Sequence, residues 1–185
     1  MNRKLMIRLG IGAAGLFVAA YGLSPLLAAK SLVQAAKAGD ETALERKVDF
    51  PAFRQSLKDE LNAQMMAEMR KEAKAKGDDG LAALGMLLGP AIVGGAVDVF
   101  VTPQAISMMV KEGQAPGPDL ARSAVSPPKP KDAEKVRQSW GYRDLDTFAV
   151  TLTKEDKPDE KIALLMKRRN LFSWKLAAAD LGDPE

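Results

Sequence analysis

Apolar positions along this chain follow three different patterns, and each predicts a different kind of element. From Leu9 to Ala29 there is no charge, and Leu16, Phe17, Val18, Leu23, Leu26 and Leu27 stand among Ala and Gly. A run of about twenty residues without a polar face predicts a bilayer-spanning helix rather than the core helix of a soluble domain. Farther on, Phe53, Leu57, Leu61, Met65 and Met69 recur at intervals of four, with Arg54, Lys58, Glu68, Glu72 and Lys76 on the opposite side. That spacing predicts one long amphipathic helix, opened by Asp49-Phe50-Pro51 and closed at Gly77. Between Asp146 and Thr153, Phe148, Val150 and Leu152 alternate with Thr147, Thr151 and Thr153. This period of two predicts a half-buried strand.

Cap and breaker residues supply the punctuation. Ser24-Pro25 reads as an N-cap followed by proline at the first helical position, so a helix is expected to start there and stop at Gly39. Asp40 can cap a short second helix through Leu44 to Val48. The second uncharged run, Leu81 to Val97, is divided at Gly89-Pro90 and is read as a buried hairpin of two short helices; a second membrane pass is the alternative. Thr102-Pro103 repeats the cap-and-proline signature and starts a helix that Gly113 ends. Residues 114–131 hold Pro116, Pro118, Pro127, Pro128 and Pro130 and predict a loop or semi-rigid tether. After a charged turn at 154–160, Lys161 to Arg169 and Phe172 to Leu181 read as two more strands joined at Asn170-Leu171. Short connections make such strands antiparallel. The expected fold class is α+β: an N-terminal membrane helix, a helical half, then a C-terminal three- to four-stranded antiparallel sheet covered by the helices.

Charge decides how the first segment is read. Arg3, Lys4 and Arg8 precede the apolar run, and residues 1–20 contain no acid. Basic residues before an apolar stretch are the start of an export signal or a signal anchor. Val18-Ala19-Ala20 would permit cleavage before Tyr21, whereas the length of the run favours a retained anchor with its N-terminus cytoplasmic. Residues 1–23 are therefore assigned to the anchor or signal, and 24–185 to a single domain. Lys and Arg number 27 against 24 acids. Three of those cations lie in the leader, so the body has 24 of each and little to steer it toward nucleic acid.

The chain contains no His and no Cys. Disulfides, thiolate nucleophiles, His-based triads and the usual zinc sites are thereby excluded, and no metal, cofactor or catalytic residue is expected.

Tyr21, Ser24-Pro25, Ala28, Leu32, Ala35, Gly39-Asp40, Leu44, Val48-Asp49-Phe50-Pro51, Arg54 and Ser56-Leu57-Lys58 resemble the opening pattern of the bacterial family of unknown function DUF2939. Tyr142, Leu145, Phe148, Val150, Leu164, Arg168, Leu171 and Trp174-Lys175-Leu176 resemble its closing pattern. The resemblance implies an exported or membrane-anchored bacterial protein and supplies no activity. The order of an Ala-rich helix, a Gly-Asp turn, a helix and an antiparallel sheet is also similar to the cone-shaped NTF2-like and cystatin-like folds.

Five residues are named as pocket or patch candidates: Asp98, Tyr142, Phe148, Arg168 and Trp174. Asp98 follows an apolar run, where a perturbed carboxylate would be useful, although a helix end or an ion pair explains it as well. Trp140, Tyr142, Phe148, Phe172 and Trp174 are half of the ten aromatics; they either line a pocket or form the core between sheet and helices. Lys167-Arg168-Arg169 with Lys175 would make an anion or headgroup patch, except that consecutive strand residues face opposite ways. The expected function is a non-catalytic envelope module that binds a partner protein or a small apolar ligand. It would lie at the bacterial inner membrane facing the periplasm, or free in the periplasm if cleaved. The alternatives are a hydrolase using Asp49, Asp98 or Asp146, and a lipid-handling protein covered by the Leu81 to Val101 segment.

Overall fold

The computed structural model describes residues 3–76, 79–112, 136–155 and 161–182. Helix α1 (Arg3–Ala38) runs without interruption through Pro25. The fresh start expected at Ser24 therefore does not occur. Proline has no N–H to give the carbonyl one turn back. Ser24 Oγ–H donates to that oxygen, Tyr21 O, at 2.8 Å instead. A side chain expected to cap a new helix thus repairs an existing one. Ile7, Leu9, Ile11, Leu16, Phe17 and Val18 are exposed, whereas Ser24, Ala29 and Ala35 are buried. One helix has a bare apolar half and a half committed to the domain.

Gly39 ends α1 with φ 65°, a conformation that favours glycine. Its N–H donates to Ala36 O and that of Asp40 to Ala35 O, a paired Schellman closure. Asp40 then caps α2 (Glu41–Lys47), accepting from Ala43 N at 2.9 Å, as expected. Val48 bridges in parallel to Leu176, and Asp49 N–H donates to Leu176 O at 2.8 Å. Asp49 also accepts from Ala52 N at the start of α3 (Phe50–Lys76). Phe53 is buried, and Leu57 and Leu61 pack behind it.

The apolar run after α3 differs from its expectation. Helix α4 (Asp79–Phe100) is one element that continues through Pro90, so there is no hairpin. Nor is it buried all round: Val97 is in the core and Val93 packs against it, while Leu88, Ile92 and Val99 face out. Arg54 and Lys58, expected on the outer side of α3, reach the far end of α4. Arg54 Nε donates to Val101 O at 2.8 Å and Lys58 pairs with Asp98. A guanidinium there satisfies a carbonyl that the helix end leaves free. Thr102 caps α5 (Pro103–Glu112) through Ala105 N at 3.1 Å. The proline-rich stretch 114–131 lies outside the described residues.

Four strands complete the chain: β1 (Val136–Asp144), β2 (Thr147–Lys154), β3 (Lys161–Arg168) and β4 (Trp174–Asp180). They form an antiparallel meander in sequence order. β2, β3 and β4 match the three expected strands. β1 is the fourth, an exposed edge with too few apolar positions to announce itself. The helices cover one face. Ala35, Leu44, Val48, Phe50, Phe53, Val97, Leu176 and Ala179 make one core cluster; Ala29, Phe148, Val150, Met166 and Trp174 make the other, under α1.

Candidate functional site

Four of the five named side chains converge where α1 crosses the sheet. Register sets Tyr142 opposite Phe148 and Arg168 opposite Trp174. The Tyr142 ring meets Phe148 at 5.3 Å and Trp174 at 6.0 Å between centroids, both edge-on. Arg168 carries its guanidinium carbon 3.8 Å from the Tyr21 ring centre and 4.1 Å from that of Trp174. The cation is thus held between two aromatic faces, a favourable placement for a planar guanidinium. Its Nε and one terminal nitrogen donate to Leu145 O and the other to Leu171 O. Asp146 lies 3.3 Å away, and only 8% of the Arg168 side chain is exposed.

Two more hydrogen bonds tie this cluster to the helix. Trp174 Nε1–H donates to Ser24 Oγ at 2.9 Å, and Tyr142 O–H to Gly22 O at 2.9 Å. Phe148 and Trp174 are almost fully buried. The arrangement is a filled lock between helix and sheet, with its donors already spent on protein acceptors. Asp98 lies elsewhere, on α4, half-exposed and 2.7 Å from Lys58.

The consecutive cations do not form one patch. Arg168 faces α1, Lys167 Nζ donates to Thr147 Oγ1 on the opposite face, and Arg169 pairs with Asp49. The three acids named for a carboxylate reaction are likewise separated into different ion pairs: Asp49 with Arg169, Asp98 with Lys58 and Asp146 with Arg168.

On the other face of the sheet no described helix packs. The pairing register aligns Arg137, Thr153 and Lys161; Thr151, Ala163 and Asp180; and Thr147, Lys167 and Lys175 on that side. A cleft of about 290 Å³ opens there, lined by Arg143, Thr151, Lys161, Ala163, Asp180 and Gly182. Arg143 on the β1 edge reaches Asp180 on the β4 edge at 2.5 Å, so the sheet curls around this cleft. The N–H of Gly182 and then the Arg143 guanidinium hold the Asp180 carboxyl below its ordinary range. The Thr147 hydroxyl and the Asp146 N–H do the same for Asp144. Among the described residues this face presents Arg137, Arg143, Lys161, Lys167 and Lys175 against Asp144 and Asp180.

Reading by residue type missed Tyr21 and Ser24, which act as partners of Arg168 and Trp174, and missed Arg143, Lys161 and Asp180. The first pair had a signal, a Tyr and a Ser-Pro inside an otherwise apolar run. The cleft residues had none, because only the pairing register brings four separate strands together.

No curated protein and no solved structure matches the chain. The family model described as "Protein of unknown function (DUF2939)" matches residues 14–109. That range holds the opening pattern from Tyr21 to Lys58 and the helices that follow, while the closing pattern from Tyr142 to Leu176 lies beyond it. The match extends over more than half of the sequence, and the chain belongs to the DUF2939 family.

Proposed function

We propose that this chain is a membrane-anchored, non-catalytic binding module that offers the cationic open face of its sheet to an acidic segment of a partner protein on the periplasmic side. The observation that carries the reading is α1: one unbroken helix whose first half is apolar and exposed and whose second half is locked to the sheet through Tyr21, Ser24 and Ala29. An exposed apolar helix of this kind is stable where lipid covers it. The domain follows with no linker, so its orientation is set by its anchor. The open cleft sets Arg143, Lys161 and Asp180 among the small residues Thr151, Ala163 and Gly182, which suits an extended acidic segment better than the small apolar ligand expected from the aromatics. Complementary charge steers such an encounter and fixes its register.

Alkaline carbonate extraction of membranes from cells making the full chain, followed by intact-mass measurement, tests the anchor. The uncut chain is expected in the pellet; a soluble species starting near Tyr21 would make it a secreted module. A photo-crosslinking residue in place of Thr151, used in those membranes, tests the face. One discrete adduct is expected, lost on Lys161→Glu. Adducts indifferent to that charge reversal would remove the open face from the reading.

A further inference from the structure

We infer that the β1–β2 and β3–β4 hairpin tips, at Leu145 and at Leu171-Phe172, are seated in the lipid interface of the membrane that α1 enters. The inference rests on α1 being a retained anchor. In a meander of this order both tips lie at the same end of the sheet. There Leu145 is 75% exposed, Leu171 59% and Phe172 46%. Large apolar side chains at a turn tip gain nothing from water. They are also not scattered: Arg168 donates to the carbonyls of Leu145 and Leu171 and so ties both tips to Tyr21. Phe172 meets Phe17, inside the apolar run, edge-on at 5.6 Å.

Length then sets the level of the membrane. The sheet already touches α1 at Phe17. Between Arg8, the last charge before the run, and that contact lie residues 9–16, about 12 Å of helix at 1.5 Å per residue. The hydrocarbon layer is about 30 Å thick. The whole uncharged run to Ala29, ahead of exposed Lys30, comes to about 30 Å by the same rise. Residues 9–16 alone are too short to cross that layer, so lipid must reach at least to the level of Phe17 and the tips, thinned locally where the polar sheet begins. Leu23 and Leu27, on the side of α1 away from the sheet, are exposed and continue the apolar surface.

The tips are built for such a level. Their polar groups are internally paired: Arg168 N–H donates to Asp146 O, Arg169 N–H to Ser173 O, and Asp146 N–H to Asp144 Oδ1. Tyr21 and Tyr142 supply interfacial aromatics, and Asn170, Asp144 and Asp146 stay among headgroups and water. The level is therefore the interface and not the centre of the bilayer.

The chain has no cysteine, which permits single-site labelling. The variants L145C, L171C, F172C, L16C and E155C of the full chain would carry an environment-sensitive fluorophore in vesicles of phosphatidylcholine and phosphatidylglycerol. Glu155 is exposed at the other end of the sheet. Probes at 145, 171 and 172 are expected to be quenched by shallow spin-labelled lipid, and several-fold less by aqueous iodide than the probe at 155. Tips as open to iodide as position 155, with position 16 quenched by lipid, would overturn the docking and leave the anchor. Iodide protection without lipid quenching would mean that protein covers the tips, and would also overturn it. Absence of lipid quenching at 16 would overturn both. Leu145 is so exposed that L145C keeps the test decisive if F172C fails to fold.

Discussion

Ser24 serves two elements with one hydroxyl: it accepts from Trp174 Nε1 of β4 and donates to Tyr21 O of α1, the carbonyl that Pro25 leaves without a donor. Ser24→Ala would strand a buried indole N–H and a helix carbonyl together. An unsatisfied buried group costs about 1–3 kcal/mol, so the urea midpoint of the full chain in detergent should fall by that equivalent. An unchanged midpoint would show that solvent reaches the site. Asp180 acts through charge. Its folded-state pKa is depressed by the Gly182 N–H and by Arg143. A depressed carboxylate stabilises the fold above its unfolded pKa of about 3.9 and loses that contribution as pH falls through the lower folded value. Thermal melts of Asp180→Asn should therefore run below the parent's near neutrality and converge with it toward pH 2. Parallel curves across that range would remove Asp180 from the acid response.

Elements were legible where local chemistry and tertiary packing agree. The four-residue row from Phe53 to Leu61, the caps at Asp40, Asp49 and Thr102, and the alternation in β2 each became the expected structure. Two prolines misled, because proline stops a helix only when nothing repairs or tolerates the missing bond. At Pro25 the repair comes from Ser24, a residue read as a signal for the opposite outcome. A sheet of three to four strands is expected, but β1, the fourth, has no position in that reading because an exposed edge strand has no buried alternation to show. Of the candidate site, the aromatics and Arg168 were visible as composition, whereas the open cleft exists only through the register of four strands. The contact of α3 with α4 offers a test at this scale. A Cβ on Gly89 would stand 2.1 Å from Met65 Cε and 2.9 Å from its sulfur. Gly89→Ala asks only the flexible end of Met65 to move, but Gly89→Leu must drive the helices apart. Overpacking of this kind costs about 1–3 kcal/mol. Chemical denaturation should show the Leu variant clearly weakened and the Ala variant close to the parent.

For the molecule as a whole, the proposed topology rests on the partition of charge along the chain. Arg3, Lys4 and Arg8 precede the uncharged run, and Lys30 and Lys37 are the first cations after it. The body beyond residue 20 is neutral in sum, so it adds no strong preference of its own. Orientation of a single anchor follows Lys and Arg close to its ends, with acids contributing little. In the proposed topology the front cluster stays in the cytoplasm and draws the domain across. Replacing Arg3, Lys4 and Arg8 by Asn together leaves Lys30 and Lys37 as the nearest cations, now on the translocated side. A fraction of molecules should then insert with the domain inward, because the remaining bias has changed sign. Alkaline phosphatase fused after Glu185 reads the outcome directly, since it is active only when exported. The parent fusion should be active and the triple variant substantially less so at equal membrane content. Full activity in the triple variant would place the orientation signal in the folded domain instead of the leader.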